Sequence, residues 1–281
     1  MQMPKLLRSI LFVIFAAAFL VSGYFLVDYY LESRQQAQSY DQLAQMVGTA
    51  PQRPAPPRPL DESLPAEETT ARPQQPVLTD VLNKKTGQTV SVLSQYASLF
   101  ELNPDMVGWL QIPGTQVNYP VMQTPEDPEY YLHRNFYEEN SKHGCLFTAP
   151  EPDVQAPSDN VTIYGHHMRD GSMFADLMGY KDQSFWQTHK YIYFDSLSQM
   201  HTYEILAVFL TTASSGKGFA FHRFVDAQDS AAFDSYVSSC KALSLYDTGV
   251  DAVYGDKLIT LSTCEYTQTN GRLVVVAKKI S

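Results

Sequence analysis

The sequence predicts a mainly β fold with helical additions: an eight-stranded closed or nearly closed β-barrel with N-terminal helices and one helix inserted before the last two strands. Three observations carry this. After about residue 90 the chain breaks into eight short segments rich in β-branched and aromatic residues, separated by turn signals at irregular spacing, the pattern of a closing sheet. Before the last two segments, Phe233, Tyr236, Val237, Cys240 and Leu243 recur at helical spacing and give residues 229–243 one apolar face. And an apolar run near the N-terminus is set apart by a proline-rich stretch, leaving about 190 residues for the folded unit, enough for one substantial core.

Taken in order, residues 9–27 carry no charge and are almost entirely apolar, close to the 20 or so that span a bilayer as a helix. Lys5 and Arg8 precede the run, while Asp28 and Glu32 follow it, so residues 1–8 are expected in the cytoplasm and the rest outside. A cleaved signal peptide is disfavoured, because the run continues past Val21-Ser22-Gly23 to Val27. The anchor is placed at 9–30, with a short polar helix continuing over 31–47. Residues 31–76 form the extracytoplasmic linker; prolines recur through 51–76, keep it extended and leave too little apolar surface to fold. The folded domain is assigned to 77–281. Its opening, 77–102, reads as one or two helices interrupted near Gly87, from the spacing of Val77, Val81, Val92, Tyr96, Leu99 and Phe100. After the turn Asn103-Pro104-Asp105 come strands at 107–112, 117–122, 144–148, 161–164, 191–195, 201–212, 258–263 and 273–278, with helical insertions at 172–177 and 229–243.

A formal charge of −10 argues against nucleic acid as a partner. Cys145, Cys240 and Cys264 match no metal or redox spacing, and an odd count leaves at least one thiol free. Cys240 lies on the apolar helix face and Cys145 in a strand, so both read as packed core thiols. Cys264 differs. It ends the strand Leu258-Ile259-Thr260-Leu261-Ser262-Thr263, and polar residues and the turn-former Asn270-Gly271 follow. If the strand beginning at Arg272 pairs with it as a hairpin, thiol and guanidinium lie at the same end of the sheet. Ser262 and Thr263 are small and leave room for a substrate backbone, and a charge in the otherwise apolar Arg272 strand is costly without purpose. A thiol nucleophile needs a base and a group that holds the developing oxyanion. Arg272 supplies the second. The first comes from His166, presented by the loop after Tyr164-Gly165. Cysteine with histidine suggests acyl transfer. A metal site joining His166 and His167 to His133 or His143 is not expected, because adjacent histidines on an extended segment point to opposite faces.

These residues also resemble a known family. Thr260-Leu261-Ser262-Thr263-Cys264 is similar to the TLxTC signature of sortases, Tyr164-Gly165-His166-His167-Met168 to their histidine loop, and residues 270–277 to their arginine strand. Class B resembles it best, through Asn103–Thr115, Tyr130–Phe136 and Asp170–Phe174. The resemblance covers about residues 90–281. It implies a membrane-anchored enzyme of a Gram-positive bacterium. Its cysteine attacks the threonine carbonyl of a C-terminal sorting signal of the NPxTx or xPxTG kind on a surface protein. The thioester is then resolved by a cell-wall peptide amine or a pilin lysine. It implies Cys264 as nucleophile, His166 as acid/base with His167 the alternative, and Arg272 for the oxyanion or substrate positioning. Ser262, Thr263, Glu265 and Asn135 are implied in the substrate groove, with no cofactor and no metal. The proline-rich spacer is longer than that class leads one to expect. Two other readings share these residues: a cysteine protease that passes the acyl group to water, and a non-catalytic surface-binding module.

Overall fold

The computed structural model describes residues 5–48, 76–214 and 216–281. All but the last residue of the proline-rich stretch at 51–76 lies outside the described residues. Helix α1 (Lys5–Val47) runs for 43 residues, roughly 65 Å at 1.5 Å per residue. It is long and apolar enough to cross a membrane, and its side chains from Phe12 through Leu26 are largely exposed. The polar segment expected at 31–47 continues the same helix without a break. α1 up to Gln42 is one compact unit and Leu43–Ser281 another.

The stretch expected as helices at 77–102 opens with a hairpin instead. β1 (Leu78–Leu82) and β2 (Thr89–Leu93) pair antiparallel, from Leu78 opposite Leu93 to Leu82 opposite Thr89. The four-residue spacing of Val77 and Val81 imitates a helix, but Thr89, Val90 and Val92 are β-branched and favour the extended chain. The connecting loop is closed locally: the Asn83 side-chain oxygen accepts from the Lys85 and Thr86 amides, and Gly87 sits at φ +74°. Only the end of the stretch is helical, in a 3₁₀ turn at Ser94–Tyr96 and in α2 (Ala97–Leu102).

The barrel strands follow: β3 (Met106–Gln111), β4 (Asn118–Gln123), β5 (Leu146–Thr148), β6 (Asn160–Tyr164), β7 (Tyr191–Ser196), β8 (Thr202–Thr212), β9 (Leu258–Glu265) and β10 (Gly271–Lys279). They close in the order β10-β8-β7-β3-β4-β5-β6-β9. β4–β5 and β6–β9 are parallel, the rest antiparallel. The β6–β9 pairing matters most for function, because it brings Tyr164 beside Ser262 across nearly the whole second half of the domain. Side chains alternate across each strand. Ile163, Leu261, Leu273 and Val275 fill the interior and are fully buried. The other face of β8, β9 and β10 is covered over part of its length by α4 (Ser230–Leu243), whose Phe233, Tyr236, Val237 and Cys240 pack on Phe209, Val274 and Val276. Asp229 caps α4 by accepting from the Ala232 amide. The helical insertion expected at 172–177 starts later, as a 3₁₀ stretch at Ala175–Lys181, and leads into α3 (Gln183–Thr188), which Asp182 caps.

Candidate active site

β9 and β10 form a hairpin in which Cys264 and Arg272 are direct cross-strand partners, as are Ser262 and Val274. Its turn is built by Asn270 in the left-handed region at φ 53°, which asparagine tolerates, and by the Gly271 amide donating to the Gln268 carbonyl. Directly opposed residues share a face, and so do residues two apart along a strand. Thr260, Ser262 and Cys264 therefore form one outward row, with Tyr164 beside it and Arg272 at its end. Cover thins along this row. Thr260 is fully buried and bonds Asn160 at 2.8 Å, with the Tyr236 hydroxyl 3.4 Å away. The Ser262 hydroxyl is buried with no hydrogen-bond partner. Cys264 is half-buried, whereas Cys145 and Cys240 are fully buried. Burial pushes the Cys240 thiol up to about 12, so it is inert as a nucleophile near neutral pH.

Thr263 faces the other way, and its hydroxyl donates to the Gly165 carbonyl at 2.7 Å, tying β9 to the end of β6. Glu265 is buried and ion-paired to Lys181 at 2.7 Å, and it also accepts from the Thr267 amide and hydroxyl. Burial alone would raise its carboxyl; the Lys181 ammonium and the Thr267 bonds outweigh burial and hold it below its ordinary value. The Arg272 guanidinium donates to the Gly271 carbonyl at 2.9 Å. Asn135 is taken up by its own turn: its oxygen accepts from the Tyr137 and Glu139 amides and its amide donates to the Glu139 carboxylate.

The two histidines after Gly165 diverge. A Cβ on Gly165 would sit 2.4 Å from Leu146 and 2.7 Å from the Phe174 ring, so only glycine allows the chain to leave β6 here. His166 Nε2 lies 2.8 Å from the Leu132 carbonyl oxygen. A carbonyl only accepts, so Nε2 carries the proton and Nδ1 holds the lone pair of the neutral ring. Burial favours that neutral form; the Leu132 bond opposes it, and nearby His133 and His143 add to it, so the net shift is downward. The His133 ring stacks on His166 at 5.8 Å. His167 instead places Nδ1 3.2 Å from the carbonyl oxygen of Cys264 and stacks on the exposed Tyr266 ring at 5.2 Å. The structure thus sets Arg272 and His167 against the Cys264 backbone, and holds His166 on the Leu132 carbonyl of the segment before β5. Among the described residues, no group of three His, Cys, Asp or Glu side chains is arranged to hold a metal.

Beside Tyr164 a groove of about 390 Å³ opens on the outer face, lined by Thr162 and Tyr164 of β6, by Ala149, Glu151 and Pro152 after β5, and by His222, Arg223 and Val225 before α4. Sequence reasoning assigned no role to Leu132, Tyr164, Lys181 or Tyr266. Only Tyr164 left a signal there, as the aromatic residue that ends its strand two positions before His166. The others act through a backbone carbonyl or through partners about 100 residues away, and no local pattern records that.

The final hairpin of the closed barrel sets a half-buried cysteine opposite an arginine, and a parallel strand delivers a histidine loop beside it. The model of the sortase domain matches residues 110–280. Sortase B of Listeria monocytogenes is 35% identical over 198 residues, covering 70% of this chain and 78% of that protein. Sortase B of Staphylococcus aureus is 27% identical over 282 residues, covering 100% of this chain and 99% of that protein. The structure of a Staphylococcus aureus sortase B–substrate complex superposes with a TM-score of 0.69 at 27% identity, covering 89% of this chain and 99% of that one. Clostridium perfringens sortase B superposes with a TM-score of 0.60 at 30% identity, covering 66% and 98%. The chain belongs to the sortase family of cysteine transpeptidases and matches its class B members.

Proposed function

We propose that this protein is a membrane-anchored class B transpeptidase in which Cys264 is the nucleophile, His166 the acid/base and Arg272 the oxyanion or substrate-positioning group. The observation that carries the reading is the cross-strand pairing of Cys264 with Arg272 at the uncovered end of the outward row. Histidine takes the thiol proton as the Cys264 sulfur adds to the threonine carbonyl carbon of an NPxTx- or xPxTG-like sorting signal. Arg272 swings from the turn carbonyls to the oxyanion. The carbon–nitrogen bond then breaks, and the leaving amine takes its proton from histidine. A second amine, of a cell-wall peptide or a pilin lysine, attacks the thioester and gives its proton to histidine, which returns it to the departing Cys264 sulfur. The Ser262 hydroxyl, without a partner on the same face, is suited to bond the substrate backbone, and the groove by Tyr164 to hold the residues before the threonine. Thr263 and Glu265 shape the rim from behind, through Gly165 and Lys181. Asn135 serves there only by keeping its turn.

Residues 9–30 are the anchor, with 1–8 cytoplasmic; 31–76 is the spacer, and 77–281 the catalytic domain outside the membrane. The test is mass spectrometry of the full-length chain in detergent micelles with peptides carrying either signal, followed by triglycine. An acyl adduct on Cys264 that triglycine converts into a ligated peptide is the expected result. An adduct released only by water would make it a protease, and no adduct with any peptide would sink the enzymatic reading.

A further inference from the structure

His143 and Asp170 lie outside the assigned machinery. His143 is 1% exposed, and its Nε2 sits 2.7 Å from an Asp170 carboxylate oxygen. The other Asp170 oxygen accepts from both the amide and the hydroxyl of Ser172. Asp170 stands four residues after His166, in the middle of the loop that carries both histidines. That loop closes on itself where the Phe174 amide donates to the His166 carbonyl at 2.9 Å.

Two of the loop's anchor points share one support. His166 hangs on the carbonyl of Leu132, and Asp170 on the side chain of His143. The segments behind them are joined: the Cys145 amide donates to the Tyr131 carbonyl at 3.0 Å. Between them Gly144, at φ +59°, passes so close that a Cβ would lie 2.5 Å from the Leu132 oxygen. The same carbonyl that fixes the His166 ring is therefore backed by the residue next to His143. Without Asp170 the loop would lose one of its two holds on this support.

We propose that Asp170 and His143 are a positioning pair for His166, holding the histidine loop against the Leu132 segment so that the imidazole keeps one orientation through turnover. The pair acts through geometry, and small displacements of a catalytic group are expensive: about 1 Å can cost on the order of 100-fold in rate. The inference rests on the assignment of His166 as the acid/base.

The test uses full-length variants with the peptide that acylates Cys264 and triglycine as acceptor, reading kcat, KM and thermal unfolding. Asp170→Ala and His143→Ala should each lower kcat about 10- to 100-fold, with KM within about threefold and a cooperative melt. Asp170→Asn, which keeps an oxygen to accept from Nε2, should recover most of the loss. The double alanine variant should be no worse than the worse single one, since both break the same bond. Wild-type kcat in Asp170→Ala, a multiplicative double variant, or losses that only follow the unfolded fraction would each overturn the pair. His166→Ala separates the two levels. If it is inactive while Asp170→Ala turns over normally, only this inference fails. If it is active, the acid/base assignment fails and takes the inference with it.

Discussion

Two hairpins of this domain have similar backbones and opposite surroundings. β1–β2 lies largely in water, with only Val81, Val92 and Leu93 buried. Its polar contacts, such as Ser91 donating to Asp80 at 2.6 Å, are exposed. β9–β10 is buried on both faces except at Cys264 and Arg272 near its turn and at Lys278 and Lys279 at its far end. In water a polar side chain needs no partner, so the pairs of β1–β2 decide little. In the buried hairpin each polar group must be matched or its desolvation goes uncompensated. Thr260 is matched by Asn160, Thr263 by Gly165 and Glu265 by Lys181. Ser262, next to the thiol, is not. The buried hairpin leaves one hydroxyl unmatched beside its thiol, whereas the polar pairs of the exposed hairpin serve the fold.

That contrast can be broken most directly at Cys264. Cys264→Ala should abolish both adduct and ligation while the melting temperature stays within a degree or two of the parent; residual ligation would remove the hairpin from the chemistry. His166→Ala should lower kcat about 10³-fold, the usual range for a general acid/base, and His167→Ala less than about tenfold. The reverse ranking, read from steady-state kinetics, would hand the role to the histidine that touches the Cys264 carbonyl. Arg272→Ala should cost about 10²- to 10³-fold in kcat, as loss of an oxyanion donor does elsewhere. Asp80→Ala, in the exposed hairpin, should leave kinetics unchanged.

Smaller effects sharpen the comparison on stability. Glu265 is held below its ordinary value of 4.5, so its contribution is fully present above that pH and is lost as pH falls through the lowered value. Thermal melts from pH 7 to pH 3 should show this loss, and Glu265→Gln should flatten it while lowering stability at pH 7. At the tip of the exposed hairpin, Lys85 bridges Asp105 at 2.6 Å and Glu138 at 3.1 Å. Lys85→Met should cost about 1 kcal/mol in denaturant unfolding and nothing in kcat. An equal loss of activity would tie β1–β2 to the site.

The same contrast explains what could be read in the chain. β9 and β10 are apolar, β-branched and bounded by Asn270-Gly271, so their pairing was legible, and with it the juxtaposition of Cys264 and Arg272. β1–β2 was misread as helix because an exposed hairpin carries a weak alternation, and its few apolar residues matched a four-residue spacing by accident. Asn135 was read as a groove residue, yet its side chain is consumed by three bonds inside its turn. A sequence shows an asparagine's chemistry but not which of its partners arrives first.

By itself the sequence determined the barrel, the apolar helix face before the last hairpin, the long N-terminal apolar helix and the thiol–guanidinium pair, because each rests on local periodicity and turn chemistry. The tertiary structure alone decided which faces the histidines take, that the Leu132 carbonyl meets His166, that Asp170 reaches His143, and that Lys181 neutralises Glu265. Those partners are 27 to 84 positions apart in the chain. Only the closure of the barrel, with β6 laid parallel to β9, brings them within hydrogen-bonding distance.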